Sequence, residues 1–234
     1  MLRVAVAALP ATATADAGLD WLGEAERRRW ADLSPAARRR FAASRALLRT
    51  LLQSATGVAA AGWELSAQAG EAPRAWPRVA ADALSLHVSL SHRLDWVAAA
   101  VATTPVGVDL DCERPARSDP QERAALMLAA AERPAWEALP AGAREPALLA
   151  RWTAKEAWFK SRPTQDAAWD FRRVVARACA PADPRANVRT WQAAGVHLAL
   201  CCDDAAALAQ ARCEGLPAAA GMADWWHVAA DDPD

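Results

Sequence analysis

Val106-Gly107-Val108-Asp109-Leu110-Asp111 and, downstream of it, Trp152-Thr153-Ala154-Lys155-Glu156-Ala157-Trp158-Phe159-Lys160 decide how the rest of this chain is read. The first run alternates apolar and acidic residues, as a strand does. Side chains two apart on a strand share a face, so Asp109 and Asp111 stand side by side. Two carboxylates so placed repel each other unless a cation lies between them. Oxygen ligands of this kind suit a hard ion such as Mg²⁺, which keeps water and a substrate phosphate in its shell. The second run reads as a helix with Trp152, Glu156 and Lys160 on one side at four-residue spacing. Its Trp152, Trp158 and Phe159 imply that it is largely buried, where a charge needs a partner. Glu156 then suits a third metal ligand or a base, and Lys160 a phosphate. The plainer alternatives are a solvated strand end and a surface Glu–Lys pair.

Outward from these runs, residues 3–9 read as a strand and 20–30 as a helix with an arginine-rich end. Ser34-Pro35 gives an N-cap and a proline at the first helical position; Gly57 gives a stop, so a helix is predicted from there to about Thr56. Its Phe41, Leu48, Leu51 and Leu52 fall on one face and Arg38, Arg45 and Arg49 on another. Residues 63–82, rich in Gly, Pro and Ala, read as irregular. Two apolar runs follow, Leu84 to Leu90 and Trp96 to Val101, the second broken by Thr103-Thr104-Pro105. After the acidic strand comes a loop with Arg114, Pro115, Arg117 and Pro120. Helices are predicted at 121–138 and 145–161, and strands at 172–179 and 196–202. Strands and helices do not alternate regularly, so the fold class is α+β rather than a doubly wound sheet. The boundary between two halves falls at Thr104-Pro105, giving 1–104 and 105–234.

Composition excludes several classes. The chain has 234 residues, of which 53% are hydrophobic and 24% charged, enough for one large domain or two small ones with a real core. A net charge of -1 argues against nucleic acid as a partner. No apolar run is long enough to span a bilayer, and the N-terminal apolar stretch is too short for a signal peptide, so a cytoplasmic protein is expected. The five cysteines are odd in number and form no C-x-x-C pair, which points to buried thiols rather than disulfides or zinc. Of 27 basic residues only Lys155 and Lys160 are lysines, and both lie in the helix quoted above. Lysine is a compact, mobile point charge where arginine is a planar fork.

Two further groups suit an anion. Ser89-Leu90-Ser91-His92 ends an apolar run, and His92 with Ser91 can meet a phosphate or a nucleotide edge. A Ser–His hydrolase pair is disfavoured, because no Gly-x-Ser-x-Gly elbow is present. Arg38, Arg39, Arg40 and Arg45 form a basic cluster early in their helix, a place that suits an anion; the plain alternative is a solvated face.

Taken in order, these pieces resemble the 4′-phosphopantetheinyl transferase superfamily, in its monomeric, two-halved type that activates peptide and polyketide synthetases. That family shows a Ser-His element, here Ser91-His92, a strand reading Gly-φ-Asp-φ-Glu/Asp, here Gly107 to Asp111, and a helix reading Trp-x-x-Lys-Glu-x-x-x-Lys, here Trp152 to Lys160. Leu33-Ser34-Pro35, Phe41 and Arg45-Ala46-Leu47-Leu48 look like its N-terminal helix. The resemblance covers residues from about 30 to 205. It implies two similar α+β halves related by a pseudo-twofold axis with coenzyme A bound between them. Asp109, Asp111 and Glu156 would hold Mg²⁺, or Mn²⁺ in its place, on the coenzyme A diphosphate. Lys160, with Lys155, would neutralise the same phosphates. His92 and Arg45 would meet the 3′-phosphate region, helped by Ser91 and Arg38 or Arg40. The partner would be an apo acyl or peptidyl carrier protein, with Glu156 taking the proton of its serine. A non-catalytic relative that only binds coenzyme A or a carrier is the alternative. The sequence also departs from the family pattern: Asp111 stands where Glu is common, Ser89 where Asn often begins the Ser-His element, Gly70-Glu71-Ala72-Pro73-Arg74 lacks the lysine of a Gly-Lys-Pro element, and no glycine turn follows Lys160.

Overall fold

The computed structural model describes residues 1–9, 19–78, 85–113, 119–162, 170–181, 183–216 and 223–231. In chain order the elements are β1 (Leu2–Ala8), α1 (Glu24–Ala31), α2 (Pro35–Thr56), β2 (Trp63–Leu65), β3 (Ala75–Pro77), β4 (His87–Arg93), β5 (Trp96–Ala102) and β6 (Val106–Cys112). There follow α3 (Pro120–Met127), α4 (Arg133–Glu137), α5 (Ala141–Lys160), β7 (Val174–Cys179), β8 (Val188–Ala193), β9 (Val196–Cys202), α6 (Ala205–Gln210), β10 (Cys213–Glu214) and β11 (Asp224–Ala230). The fold is mixed α+β, as the sequence predicts. One sheet has the order β10-β1-β5-β4, the other β6-β9-β8-β11-β7, and β2-β3 is a separate hairpin.

The expected strand at 3–9 is β1, and the two apolar runs supply β4 and β5. The helix predicted from Ser34 is α2, and it ends where Gly57 adopts φ 77°, a left-handed conformation that glycine reaches without a Cβ penalty. The predicted helix at 121–138 is broken instead. Leu128 leaves α3 in an extended conformation, and a short 3-10 turn at Ala130–Glu132 restarts the chain as α4. The segment read as irregular contains β2 and β3, paired from Trp63 to Pro77. Strands β8 and β11 were not foreseen, because Val188–Ala193 and Asp224–Ala230 carry Arg, Gln and His among their apolar residues. The loop residues Arg114, Pro115 and Arg117 lie outside the described residues.

Each sheet carries one long helix on one face. Val88, Ala99 and Val101 pack on Leu48, Leu51 and Leu52 of α2. Val188, Ala199 and Cys201 pack with Ala154, Ala157 and Phe159 of α5. The other faces meet in one shared core of Val4, Val6, Ala98, Ala100, Val108, Leu110, Leu198 and Leu200. Strands buried on both sides read as continuous apolar runs, which is why β5 and β9 lack alternation.

Two buried acids tie the helices down. Glu26 accepts hydrogen bonds from the Gly23 amide (2.9 Å) and from both Nη atoms of Arg49 (2.9 and 2.5 Å), with Arg45 Nε at 3.9 Å. Arg45 and Arg49 are therefore buried against a carboxylate, not set along a solvated face. Glu132 accepts from the Ala129 amide (2.8 Å), the Ala176 amide (3.0 Å) and Lys155 Nζ (2.5 Å). Lys155 Nζ also donates to the carbonyls of Met127 (2.9 Å) and Phe171 (3.0 Å), so all three ammonium protons are engaged. Burial lowers the Lys155 pKa and the Glu132 carboxylate opposes that.

Removing one partner of such a pair leaves an unpaired buried charge, at a cost of roughly 3–5 kcal/mol. Lys155→Ala should lower the urea midpoint by that equivalent, with the slope of the transition unchanged; a loss below about 1 kcal/mol would show that the pair does not hold α5 in place.

Candidate functional site

Strands β4 and β6 each end their sheet, and the two sheets meet along them. Serine side chains join them. Ser89 Oγ accepts the Val108 amide at 3.0 Å, and Ser91 Oγ accepts the Leu110 amide at 3.1 Å. A buried amide that lacks a ladder partner must find another acceptor, and the alternate serines of β4 provide one.

Helix α5 lies on the face of β6 that bears the odd-numbered residues. A Cβ on Gly107 would stand 1.9 Å from the Ala157 carbonyl oxygen and 2.7 Å from the Ser161 nitrogen. Only glycine lets the helix sit this close. The close approach brings the last turns of α5 over the strand acids. Lys160 Nζ donates to Asp109 Oδ1 at 2.6 Å and lies 3.4 Å from Ser91 Oγ, which itself donates to Asp109 Oδ1 at 2.8 Å. Asp111 Oδ1 accepts the Cys112 amide at 2.8 Å and pairs with Arg93 Nε at 2.9 Å. Ser91, Arg93, Asp109, Asp111, Glu156 and Lys160 line one open cleft of about 280 Å³. Trp152 forms part of its wall and stacks on Phe171, centroids 4.3 Å apart.

Burial, with the charges of Asp109 and Asp111 adding to it and Lys160 opposing, pushes the Glu156 pKa up to about 7. Three carboxylates thus share one cleft, and one of them holds its proton near neutrality.

A second cleft of about 270 Å³ opens beside the first, lined by Arg29, Phe41, Ser44, Arg45, Ser91 and His92. Ser91 and His92 line both. The Arg45 guanidinium lies 4.9 Å from the Phe41 ring centre, and its buried Nε and Nη1 form no hydrogen bond. Burial lowers the Arg45 pKa, Glu26 opposing it and Arg49 adding to it. Burial also lowers the His92 pKa, with Arg40 and Lys160 adding to it. The Asp109 charge opposes that shift, so His92 stands between the cations Arg40 and Lys160 and the strand acid.

Asp109, Asp111, Glu156 and Lys160 come together, and Ser91, His92 and Arg45 stand beside them. Two expected residues are elsewhere. Lys155 is spent on Glu132, so the phosphate role expected of it finds no support in its position. Arg38 donates to the Trp30 carbonyl at 3.1 Å and the Ala31 carbonyl at 2.7 Å, closing the C-terminal end of α1, with its guanidinium 4.2 Å over the Trp30 ring. Sequence reasoning passed over Arg93. The signal was there, since Ser89, Ser91 and Arg93 follow the two-residue period of a strand.

A divalent cation meets the right donor type here, hard carboxylate oxygens. Its ligands are not preassembled. Among the described residues no three acids, histidines or cysteines stand at metal-ligating spacing. Lys160 and Arg93 are seated on the strand carboxylates, and Glu156 favours its proton.

Residues 105–211 match the family model described as the 4′-phosphopantetheinyl transferase superfamily, a segment just under half the chain. It contains Asp109, Asp111, Glu156 and Lys160, and excludes Arg45, Ser91 and His92. No curated protein matches the chain. No described helix is long and apolar enough to cross a membrane.

Glu156 gives a pH test with a defined sign. Without divalent ion, the native carboxyl keeps its proton up to about pH 7, whereas the unfolded one releases it near 4.5. The native state then binds more protons between these values, so stability falls as pH rises through that window. Urea titrations in chelator should show this fall, and Glu156→Gln should remove it, leaving the variant about 1–3 kcal/mol more stable than the parent at pH 8.

Proposed function

We propose that this protein transfers the 4′-phosphopantetheine arm of coenzyme A to a serine of an apo acyl or peptidyl carrier protein, with Mg²⁺ or Mn²⁺ as the required ion. The observation that carries this reading is the convergence of Asp109, Asp111, Glu156 and Lys160 on one cleft, inside the segment that matches the transferase family model.

The diphosphate of coenzyme A would lie in this cleft and its 3′-phosphate in the neighbouring one. There Arg45 lines the cleft wall with Phe41 and Ser44, and His92 and Ser91 stand at the junction. Asp109, Glu156 and Asp111 are the residues that would hold the divalent ion, which when bound draws negative charge off the phosphate oxygens. Glu156, which lines the cleft with the strand acids, takes the proton of the carrier serine, directly or through a water. The serine oxygen forms a bond to the phosphorus next to pantetheine as the bond to the bridging oxygen breaks, and 3′,5′-ADP leaves. Lys160 offsets the charge that gathers on the phosphate oxygens, in a site where fixed charges act more strongly than in water. Lys160 reaches this role by leaving Asp109.

The same reading divides the chain into two halves, 1–104 and 105–234, related by a pseudo-twofold axis in a monomer. Several parallels support it. β1-β5-β4 under α2 has the strand connectivity of β6-β9-β8 under α5. Glu26–Arg49 and Glu132–Lys155 are both 23 residues apart. Arg38 reaches the Ala31 carbonyl seven residues back, and Arg144 the Glu137 carbonyl likewise. Leu94 and Ala194, each between the paired strands of a hairpin, have φ 50° and 49°.

Incubation with coenzyme A, Mg²⁺ and an apo carrier protein should raise the carrier mass by one phosphopantetheine arm, read by mass spectrometry. Tight coenzyme A binding without transfer would favour a binding module instead. Asp109→Ala should abolish transfer without unfolding the protein, and Lys160→Ala should slow it by about 10²-fold or more; full activity of either refutes its assignment.

A further inference from the structure

Strand β4 presents Ser89, Ser91 and Arg93 in turn along the edge that faces β6. The two serines serve β6 amides. Arg93, the next residue in that row, instead sets its Nε 2.9 Å from Asp111 Oδ1. The contact is Coulombic: Nε, although buried, makes no hydrogen bond of proper geometry. Asp111 Oδ1 is itself fixed to its own strand by the Cys112 amide at 2.8 Å. The Arg93 side chain remains 35% exposed and lines the cleft together with Lys160 and Glu156.

The charges of the cleft are Asp109, Asp111 and Glu156 against Lys160 and Arg93. A diphosphate arriving with a divalent ion would release Lys160 from Asp109, while Arg93 keeps its contact with Asp111 Oδ1. Asp109, Glu156 and the second oxygen of Asp111 would hold the ion, and the side-chain cations Lys160 and Arg93 would meet phosphate oxygens. Lys160 does so as a point charge. Arg93 brings a planar fork matched to two phosphate oxygens, on a guanidinium oriented at one edge by a fixed carboxylate. We propose that Arg93 is a direct ligand of the substrate diphosphate, aimed into the cleft by Asp111. This rests on the transferase reading of the cleft and adds to it a phosphate contact from the N-terminal sheet, outside the segment that matches the family model. Asp111 then acts as the positioning residue for Arg93 as well as a wall of the ion site.

The test is equilibrium binding by titration calorimetry with Mg²⁺ present, using coenzyme A and 3′-dephospho-coenzyme A. Arg93→Ala should weaken both ligands by the same factor, about 10- to 100-fold for the loss of a charge-assisted phosphate contact. Arg93→Lys should recover part of that loss. Arg45→Ala should weaken coenzyme A and leave the dephospho form unchanged, which separates the two phosphate sites. Wild-type affinity of Arg93→Ala for both ligands overturns the proposal, and so does a loss confined to coenzyme A, which would move Arg93 to the 3′-phosphate. If Arg93→Ala does not give a native thermal melt, Arg93→Lys and Arg93→Gln carry the comparison, Gln expected to bind more weakly than Lys. A wild-type protein that binds neither ligand would overturn the transferase reading, and Arg93 with it.

Discussion

Two carboxylates on a strand that is buried along its whole length are the constraint from which the rest follows. All seven residues of β6 are buried, and a buried charge without a partner is too costly to persist. Partners must therefore come from neighbouring elements, and they come from both sides. Lys160 descends from α5 onto Asp109, and Arg93 reaches across from β4 onto Asp111. The acids thus pull together a helix and a strand that belong to different sheets.

Glycine makes this junction sterically possible. With any side chain at position 107 the backbone of α5 could not lie against β6, and Glu156 and Lys160 would stand too far out to share a cleft with Asp109. Serine makes it possible for the backbone, because the hydroxyls of Ser89 and Ser91 satisfy β6 amides where the sheet hydrogen bonding stops. A junction held by side chains instead of a backbone ladder leaves room beside it, and that room is the pair of clefts sharing Ser91 and His92.

The buried ion pairs of the two long helices do different work from the cleft. Glu132 fixes α5 through Lys155 and leaves no ammonium proton for a ligand. Glu26 fixes α2 through Arg49, yet it leaves Arg45 with buried nitrogens that form no hydrogen bond beside an open cleft. The difference is geometric. Arg49 already takes both Glu26 oxygens, so Arg45 at 3.9 Å is attracted by the same carboxylate without being consumed by it.

Local pattern was enough for the elements whose burial is one-sided or complete. The α2 ends were written in Ser34-Pro35 and Gly57, the Asp109/Asp111 face in a period of two, and the Trp152–Glu156–Lys160 stripe in a period of four. The α+β class followed from the element order. Elements that mix polar residues into a paired strand, such as β8 and β11, left no such trace, and neither did the break after α3, where Leu128 is extended. The chain alone singled out Lys160 by its spacing from Glu156 but could not exclude Lys155 from the phosphate site. Both sit on one helix as rare lysines, and only the packing of α5 turns the first toward Glu132 and the second toward Asp109. Nor could it seat Arg93 on Asp111 or leave Arg45 beside an open cleft, because those relations depend on which strands end each sheet. Periodicity fixes which side chains share a face; the face they meet is set by long-range packing, and in this protein the proposed chemistry lies where two such faces meet.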